Sequence, residues 1–481
     1  MRVFVTGATG FVGRALILRL LGARHHVIAW VRDETRARGS LGSDVELVSA
    51  GSDLGEQIAR SDAIVNLAGE PVFAGRWTPA RKRTIAESRL NLTRAIVNAI
   101  AQSASRPAVL ISASAVGYYG DRGDEVIDDE APAGNDFLAT LCRDWEAAAL
   151  DAQKSGVRVF IPRIGIVLGA EEGALPRMVL PFRFGAGGPI GSGRQYVPWI
   201  HLDDLIAIIY AALDDQRMSG PTIAAAPNPV TGRQLATAIG QVLHRPSLLP
   251  VPAIALKVLL GEAAAMLLTG QRVHPRRLQE LGFSWAYPQI ESALADILKD
   301  NDPGIRSIGD AAPKPAASAD SKYLQSRRPR YVLTHKTRVA APVEEVFQFF
   351  SKPRNLGVMT PSAMRFQILG AMPDEIRRGL RIEYSIRLGP VPLRWRTCIE
   401  EWHPPTMFAD SQESGPYSCW WHEHHFQPDG NSTLMEDRVY YSPPLGPAGA
   451  IANAVFVAPA LRRIFSYRSQ AMRLRFAPVR T

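Results

Sequence analysis

The glycine-rich segment near the amino terminus constrains the fold of this chain more than any other feature. Residues 3–17 run Val-Phe-Val-Thr-Gly-Ala-Thr-Gly-Phe-Val-Gly-Arg-Ala-Leu-Ile, so three glycines separate a strand-like run from a helix-like run. Gly7 permits a tight turn, Gly10 lets the backbone approach a bound group, and Gly13 lets the helix pack close to the strand. Free N–H groups and the helix dipole at such a helix start bind phosphate. The segment therefore predicts a strand–loop–helix unit that holds a pyrophosphate.

Short apolar runs alternate with longer helix-like segments over the first 300 residues. The runs typical of buried strands are Arg2–Thr6, His26–Val31, Ala63–Leu67, Ala108–Ser112 and Arg158–Pro162. Helical spacing of apolar residues occurs in Phe11–Leu21, Pro79–Gln102 and Asp136–Lys154. Strands that alternate with helices form parallel sheets with helices on both faces. We therefore predict an α/β domain over residues 1–300, with a doubly wound parallel sheet of the Rossmann type.

Composition and charge exclude several classes of protein. The 481 residues are too many for one core, and three cysteines are too few for a disulfide framework. Residues 1–320 hold 33 Lys and Arg and 33 Asp and Glu, whereas residues 321–481 hold 22 and 13, so the net charge of +9 lies in the last third. This division excludes a uniformly basic nucleic-acid-binding protein. Because neither a membrane-spanning apolar run nor a signal-peptide pattern is present, a cytoplasmic protein is predicted.

The composition changes after residue 300. Residues 301–329 contain few large apolar side chains and several Pro, Ala and Asp residues, which predicts a linker. Residues 330–481 then show a strand, a helix at Val343–Phe350, six further strand-like runs and a closing helix at Ile451–Arg475. This order predicts a separate α+β domain in which an antiparallel sheet wraps on a helix.

The residues after the second predicted strand bear on the choice of dinucleotide. Arg32 follows the run His26–Val31 directly, with Arg36 and Arg38 close behind. An Arg at this place accommodates the 2′-phosphate of NADP, whereas an acidic residue binds the ribose hydroxyls of NAD. We predict NADP(H) in preference to NAD(H). The alternative is that Asp33 selects NAD one residue later.

Motifs spread over residues 1–298 are arranged as in a known family. They are Gly7–Gly13, Asn66–Pro71, Glu87–Arg89, Ser112–Ser114, Tyr118–Gly120, Asn135–Leu138, Cys142–Glu146, Pro162–Gly165 and Trp199–Asp204. They resemble the atypical epimerase-family members of the extended short-chain dehydrogenase/reductases. The resemblance implies a small-molecule substrate, a substrate lobe at about residues 165–300, and an Asp of the last motif that caps the next helix. It implies these cofactor-binding residues: Gly7, Thr9, Gly10, Phe11, Val12, Gly13, Arg32, Leu67, Ala68, Gly69 and Arg163.

The proton-transfer pair of that family is missing. Active members use a Tyr and a Lys four residues later, where the Lys lowers the pKa of the Tyr hydroxyl. None of the twelve tyrosines has a Lys at this spacing. The remaining candidates for polarising a substrate oxygen are Ser114, at a strand end, and Tyr118 and Tyr119, which follow it. The helix that should carry the pair bears Arg143, Asp144 and Glu146, which are further candidates to replace it. The alternative, which we favour, is that these three residues are surface charges.

A second set of motifs covers the last third of the chain. They are Ala341–Phe347, Gly415–Tyr417, Trp420–Phe426, Asp437–Tyr441 and Pro444–Gly446. They resemble the helix-grip fold of the START/Bet v 1-like (SRPBCC) superfamily, which implies an apolar cavity between sheet and final helix and hence an apolar ligand. His422 and His424 share one face of their strand and either line this cavity or hold a metal. Since no third ligand is evident from the sequence, no metal is predicted.

The closing helix carries most of the local positive charge. Its arginines are Arg462, Arg463, Arg468, Arg473 and Arg475. We favour a helix packed on the core with its arginines in solvent over one that lies on an anionic membrane, and no pattern indicates nucleic-acid binding. Three functions fit the sequence: an NADP-dependent oxidoreductase or epimerase acting on a carbonyl, hydroxyl or nucleotide-sugar substrate, a non-catalytic NADP(H)-binding sensor, or a lipid carrier. The sequence specifies no oligomeric state.

Overall fold

The chain separates into two compact units. The computed structural model describes residues 1–73, 75–170, 172–300, 303–308, 314–316, 322–370, 373–388, 391–444 and 448–477. The first unit comprises Met1–Glu34 and Val45–Asp300, and the second comprises Thr35–Asp44 and Asn301–Thr481. None of the helices in these described ranges is long and apolar enough to cross a membrane.

The first unit alternates strands with helices as the sequence predicts. Its strands are β1 (Arg2–Thr6), β2 (His26–Val31), β3 (Glu46–Ser49), β4 (Ala63–Asn66), β5 (Val109–Ser112), β6 (Ser114–Ala115), β7 (Val126–Ile127), β8 (Arg158–Ile164), β9 (Ile166–Leu168), β10 (Tyr196–Val197), β11 (Trp199–His201), β12 (Gly220–Ala224), β13 (Val230–Thr231) and β14 (Arg272–Val273). The helices are α1 (Phe11–Gly22), α2 (Glu34–Leu41, most of which lies in the second unit), α3 (Leu54–Ala59), α4 (Pro79–Gln102), α5 (Phe137–Leu150), α6 (Leu175–Arg183), α7 (Leu202–Asp214), α8 (Gly232–Leu243), α9 (Ala253–Leu260), α10 (Ala265–Leu268), α11 (Arg276–Glu280) and α12 (Ile290–Ala295).

A parallel sheet forms the centre of this unit. Its strand order is β12-β8-β5-β4-β1-β2-β3, with β6 also paired to β8. The strands consist mainly of apolar residues buried on both faces, such as Val3, Phe4 and Val5 of β1, which is typical of parallel sheets covered by helices. β1 pairs β2 on one side and β4 on the other, so the chain reverses its direction of winding at β1. Ligands of such sheets bind at the carboxyl ends of the strands near this reversal.

Residues beyond 165 form a second apolar core of this unit, although β12 of the same stretch belongs to the central sheet. This core includes Leu168, Phe182, Trp199, Leu235 and Ile290. The expected Asp cap of α7 is wrong. His201 caps the helix, since its Nδ1 accepts a hydrogen bond from the Asp203 N–H at 3.1 Å. The buried Asp204 carboxylate instead accepts hydrogen bonds from the N–H groups of Ala286 and Tyr287, at 2.7 and 3.0 Å, and so fixes a distant loop.

The second unit is an antiparallel sheet with the long helix at Ala458–Arg475 on one face and the short helix at Lys322–Ser326 on the other. Its strands are β15 (Gly304–Ser307), β16 (Tyr331–Val339), β17 (Gln367–Leu369), β18 (Arg381–Leu388), β19 (Val391–His403), β20 (Met407–Ser414), β21 (Cys419–Asp429) and β22 (Ser432–Ser442), in the order β15-β16-β22-β21-β20-β19-β18-β17. The helices are α13 (Lys322–Ser326), α14 (Val343–Phe350), α15 (Ala448–Ala452) and α16 (Ala458–Arg475). Leu461 and Phe465 of α16 pack against Trp395, Trp420 and Val439 of the sheet.

The segment predicted as a linker contains regular structure in its described parts. β15 pairs antiparallel with β16, and α13 covers the sheet face opposite α16, where Tyr323 and Leu324 pack on Trp421. The Tyr323 hydroxyl accepts a hydrogen bond from the Trp420 N–H at 3.0 Å. Two aromatic or aliphatic side chains are thus enough to dock a segment of otherwise linker-like composition. Residues 301–302, 309–313 and 317–321 of this segment lie outside the described residues, as do Leu445 and Gly446 of one predicted motif.

The closing helix differs from its prediction in shape and in charge placement. A π-helical stretch at Asn453–Val457 separates α15 from α16. Arg468 is buried rather than in solvent, because its guanidinium lies 3.4 Å from the Asp437 carboxylate and 3.1 Å from His424 Nδ1. A guanidinium enters a protein core only where anionic or acceptor groups meet it.

Candidate functional site

The glycine loop has a backbone that only glycine accommodates. Gly7 adopts a φ of +67°, and a Cβ placed on it would lie 2.6 Å from the Leu67 carbonyl oxygen. A Cβ on Gly13 would overlap the carbonyl oxygen of Gly7. α1 begins after Gly10, which has no side chain to cap the first N–H groups. The loop therefore leaves a cradle of backbone donors at a helix start, and this fits a pyrophosphate.

Hydrogen bonds between side chains hold the neighbouring strand ends against this loop. The Thr6 hydroxyl donates to Asn66 Oδ1 at 2.7 Å, and Asn66 Nδ2 donates to Thr93 Oγ1 at 2.9 Å and to Ser112 Oγ at 3.3 Å. All four residues are buried. The ends of β1, β4 and β5 are thereby joined, and Leu67 and Ala68 come directly beside Gly7.

The other predicted cofactor residues also lie at this edge of the sheet. The Phe11 ring packs against Gly169 and Gly173, and the Thr9 carbonyl accepts a hydrogen bond from Arg14 at 2.7 Å. Val12 lies in the first turn of α1, and Arg32 is exposed directly after β2. Arg36 and Arg38 lie on α2.

Arg163 differs from the other predicted cofactor residues, because its guanidinium is hydrogen-bonded to protein groups. Its Nε and Nη2 donate to the two carboxylate oxygens of Glu146 at 2.9 and 2.8 Å, and its Nη1 donates to the Tyr119 hydroxyl at 2.8 Å. The Ser114 hydroxyl donates to the same carboxylate at 2.6 Å. Each of these four side chains is buried. Glu146 is therefore the centre of a hydrogen-bonded cluster and not the surface charge that the sequence predicts, whereas Arg143 and Asp144 are exposed.

The two candidate tyrosines differ in accessibility. Tyr119 has no exposed surface, and burial raises the pKa of its hydroxyl although the Arg163 charge opposes this shift. Tyr118 is half-buried, with the Arg163 guanidinium carbon 3.6 Å from its ring centroid. Of the predicted catalytic residues, the structure thus brings Ser114 and Tyr119 together through Glu146 and Arg163, and holds the Tyr118 ring against the same guanidinium.

Two further residues of the site escaped the sequence analysis. Arg89 lies against Gly69, because a Cβ on that glycine would come 2.8 Å from the Arg89 guanidinium carbon. Cys142 is buried beside Ser114, and burial raises the pKa of its thiol to about 11. The signal for both was their place in the motifs Glu87–Arg89 and Cys142–Glu146; Cys142 and Glu146 are four residues apart on α5 and share its buried face.

A comparison with known families matches most of the first unit. Residues 3–224 match the model of the NAD dependent epimerase/dehydratase family, and residues 251–297 match a domain of unknown function, DUF1731. The epimerase family protein SDR39U1 homolog, chloroplastic, from Arabidopsis thaliana is 44% identical over 304 residues, which is 62% of this chain and 87% of that protein. This chain belongs to the epimerase family. Its first unit is the Rossmann-like unit that matches the NAD dependent epimerase/dehydratase family.

Two other relatives agree with this assignment. The epimerase family protein YfhF of Bacillus subtilis is 38% identical over 301 residues, covering 62% of this chain and 99% of that protein. The crystal structure of human epimerase family protein SDR39U1 with NADPH has 34% identity and a TM-score of 0.55, and covers 62% of this chain and 99% of the human chain. The DUF1731 match corresponds to the last helices of the first unit, from α9 to α12, and not to the antiparallel sheet.

The second unit contains a small cavity with a polar end. The cavity has a volume of about 170 Å³ and lies between the sheet and α16. Apolar side chains form most of its wall, including Leu356, Phe366, Ile386, Trp395, Trp420, Leu461 and Phe465. Asp410, His422, His424 and Arg468 line its polar end. Burial and the adjacent His424 lower the pKa of His422 to about 4, so its imidazole is neutral at neutral pH.

Proposed function

We propose that the first unit binds NADP(H) at Gly7–Gly13 and exchanges hydride with the carbonyl or hydroxyl carbon of a small substrate. The glycine cradle carries the cofactor part of this proposal, because a side chain on Gly7 would overlap the Leu67 backbone and one on Gly13 would overlap the Gly7 carbonyl, so the loop keeps its shape only with glycine at both positions. A bound dinucleotide supplies the hydride at its nicotinamide, and this chain's residues hold and orient it. The human relative in complex with NADPH, 34% identical, supports the choice of cofactor.

Arg32 is the residue that we assign to the 2′-phosphate. It follows β2 at the sheet edge where the adenosine ribose of such cofactors lies, and its side chain is exposed and free to meet a ligand phosphate. A charge-assisted hydrogen bond of this kind contributes about 1.5–3 kcal/mol. Arg32→Ala should therefore weaken NADPH binding by about 10- to 100-fold and leave NADH binding within about twofold. Arg94→Ala, an exposed Arg on α4, is the matched control. Equal weakening of both cofactors by Arg32→Ala would contradict NADP selection.

Ser114 and Tyr118 are the residues that we place next to the reacting oxygen. The only hydrogen of the Ser114 hydroxyl points at Glu146, so its lone pairs are available to accept a hydrogen bond from a substrate hydroxyl. Tyr118 is the accessible member of the tyrosine pair, and the contact with Arg163 fixes its ring. We assign Tyr119 and Arg163 as positioning residues, because both are buried and bonded to protein groups.

A non-catalytic NADP(H)-binding sensor is the second candidate. The observation that favours it is the bonding of Ser114, Tyr119 and Arg163 to one another through Glu146, which engages the buried Arg163 cation beside the tyrosines with protein groups. NADPH-loaded protein incubated with a panel of nucleotide-sugars and carbonyl compounds separates the two. Loss of the reduced-nicotinamide absorbance that disappears in Ser114→Ala and Tyr118→Phe, but persists in Tyr119→Phe, supports the enzyme. Tight NADPH binding without turnover of any compound supports the sensor.

For the second unit we propose a START/Bet v 1-like helix-grip domain that binds a small apolar ligand. The wrapped antiparallel sheet, α16 across it and the cavity between them support this proposal. The volume of about 170 Å³ is close to the about 150 Å³ of a cavity that accommodates benzene, so a ring-sized ligand fits better than a long lipid chain. Native mass spectrometry of the whole chain after incubation with indole or benzene derivatives tests this. A 1:1 adduct that Leu461→Trp abolishes is expected, and no adduct with any of them would contradict it.

The three cysteines support the expectation of a reducing compartment such as the cytoplasm. Cys142, Cys398 and Cys419 are free and buried. Free buried thiols are typical of proteins that fold where disulfides do not form.

A further inference from the structure

We propose that Asp410, His422 and His424 form a binding site for a divalent first-row transition metal at the polar end of the cavity in the second unit. This site is independent of the dinucleotide chemistry of the first unit. The two histidines share one face of β21, and Asp410 lies opposite His422 on the neighbouring strand β20. Strand pairing thus places Asp410 beside the two histidines as a third ligand, which the sequence alone does not indicate.

The distances between the three ligand atoms suit a metal ion. Asp410 Oδ2 lies 3.4 Å from His424 Nε2 and 3.7 Å from His422 Nδ1, and one atom from each residue lies within 4.8 Å of the others. Ligands at about 2.0–2.1 Å from a tetrahedral Zn²⁺ are about 3.4 Å apart along each edge. Small side-chain rotations therefore bring all three atoms into bonding range, with one position left open.

The opposite nitrogens of both imidazoles contact a single carboxylate oxygen. Asp437 Oδ1 lies 2.9 Å from His422 Nε2 and 3.0 Å from His424 Nδ1. Metal-binding histidines usually donate their second N–H to such a carboxylate, which fixes the ring and directs the other nitrogen's lone pair at the metal. Asp437 is fully buried, on β22 opposite His424, and Arg468 Nη1 lies 3.4 Å away. It is therefore built as an outer support and not as a fourth ligand.

The polar end of the cavity holds two carboxylates and one guanidinium. Arg468 lies 3.4 Å from Asp437, whereas the Asp410 carboxylate has a Thr397 hydroxyl at 2.9 Å as its polar neighbour beside the histidines. A cation bound between Asp410 and the two imidazoles would pair with this carboxylate. Arg468 Nη2 also lies 3.1 Å from His424 Nδ1. His424 Nε2 can bind a metal in the tautomer whose Nδ1–H donates to Asp437, and in that tautomer Nδ1 does not accept a hydrogen bond from Arg468.

The surroundings favour imidazole-binding metals with a reactive open position. The Phe408 ring stacks on His424 with centroids 4.1 Å apart, and the Phe465 ring lies 5.4 Å from His422. Two imidazoles and one carboxylate select Zn²⁺, Fe²⁺ or Co²⁺ over Mg²⁺ or Ca²⁺. The open position faces the cavity, so an oxygen atom of a ligand that enters the cavity would reach the metal.

Cobalt and zinc titrations of the tag-free whole chain test the site. Protein stripped with a chelator should bind one equivalent of Co²⁺ with visible d–d absorption typical of four or five ligands, and Zn²⁺ should displace it. His422→Ala and His424→Ala should each weaken Co²⁺ binding by more than about 100-fold, which is the largest effect expected from the loss of an outer-shell partner. Asp437→Asn should weaken it by about 10–100-fold.

His425→Ala is the matched control. His425 lies on the same strand, faces the other way and pairs with Glu423 at 2.9 Å, so its loss should change the affinity by less than about twofold. If His422→Ala does not fold, as judged by circular dichroism, Asp410→Asn keeps the side-chain size and the Thr397 contact and removes one ligand charge. Absence of stoichiometric binding, or equal affinity of the histidine ligand variants and the His425→Ala control, would overturn the proposal.

Discussion

The ion pair of Glu146 and Arg163 should dominate the stability of the first unit's sheet edge. Glu146→Gln keeps the shape of the side chain but replaces one carboxylate oxygen by an NH₂ group. At the Oε2 position this group would face the Arg163 Nη2 donor, and at the Oε1 position it would face Arg163 Nε and Ser114. In both orientations a guanidinium with about 5% of its side chain exposed loses its counter-charge and one of two paired hydrogen bonds.

Breaking one partner of such a buried pair costs about 3–5 kcal/mol. Hydrogen exchange measured by mass spectrometry reports this loss of stability for the first unit alone, when it is read from peptides that cover β5 and β8. The protection of their most stable amides should fall by about 100- to 4,000-fold in Glu146→Gln, since each 1.4 kcal/mol is a factor of ten. The double variant Glu146→Leu/Arg163→Met should regain much of the loss, because apolar residues of similar volume often replace a buried pair without cost.

Asp144→Asn is the control for this prediction. Asp144 lies on the same helix, about half of its side chain is exposed, and its Arg143 partner is 3.5 Å away. An exposed pair of this kind contributes about 0–1 kcal/mol, so protection should change little. If the β5 and β8 amides are as well protected from exchange in Glu146→Gln as in Asp144→Asn, the Glu146 carboxylate does not hold this site together.

Three further predictions concern the loop, the thiols and the segment before β16. Gly13→Ala should lower NADPH affinity about tenfold or more, because its Cβ overlaps the Gly7 carbonyl and strain of this kind costs about 1–3 kcal/mol. The control Gly51→Ala, whose Cβ would have Ser49 Oγ at an unstrained 4.0 Å, should bind NADPH normally in the same fluorescence titration. Burial raises the pKa values of the Cys142, Cys398 and Cys419 thiols to about 11, so these thiols stay protonated at pH 8. They should react with iodoacetamide only as the pH approaches 11 or after unfolding in urea. Rapid labelling of the native protein at pH 8 would refute this prediction. Tyr323→Phe should lower the free energy of unfolding of the second unit by about 1–3 kcal/mol, because the Trp420 N–H loses its acceptor. Urea unfolding, followed through the hydrogen exchange of β21 peptides, measures this change. Unchanged protection would show that water replaces the hydroxyl.

Local patterns in the sequence specify most of the fold. β1, β2, α4 and α14 have the bounds that apolar periodicity predicts, because each buries residues at one fixed spacing. The segment before β16 was predicted less well. This segment covers the sheet because Tyr323 and Leu324 contact Trp421. A contact made by two residues produces no periodic pattern in the sequence from which it could be predicted.

The polar clusters depend on register and on distance in sequence. Glu146 differs from its exposed neighbour Asp144 only by facing Arg163, which lies on a strand 17 residues later. Asp410 meets His422, and Asp437 meets His424, because β20, β21 and β22 pair in one particular register. A shift of the pairing by one residue would turn these side chains to the other face. A single sequence fixes which residues alternate on a strand but not which residue of the next strand stands opposite.

The pairing of β15 with β16 sets where the second unit can be separated from the rest of the chain. A fragment that begins at Arg330 would lack the strand at Gly304–Ser307 and the helix that carries Tyr323. It would then leave residues 331–334 of β16 without their partner strand and uncover Trp421, on which Tyr323 and Leu324 pack. Edges of this kind template pairing with further copies. Such a fragment would self-associate through β16, whereas one that starts before residue 303 carries its own edge protection.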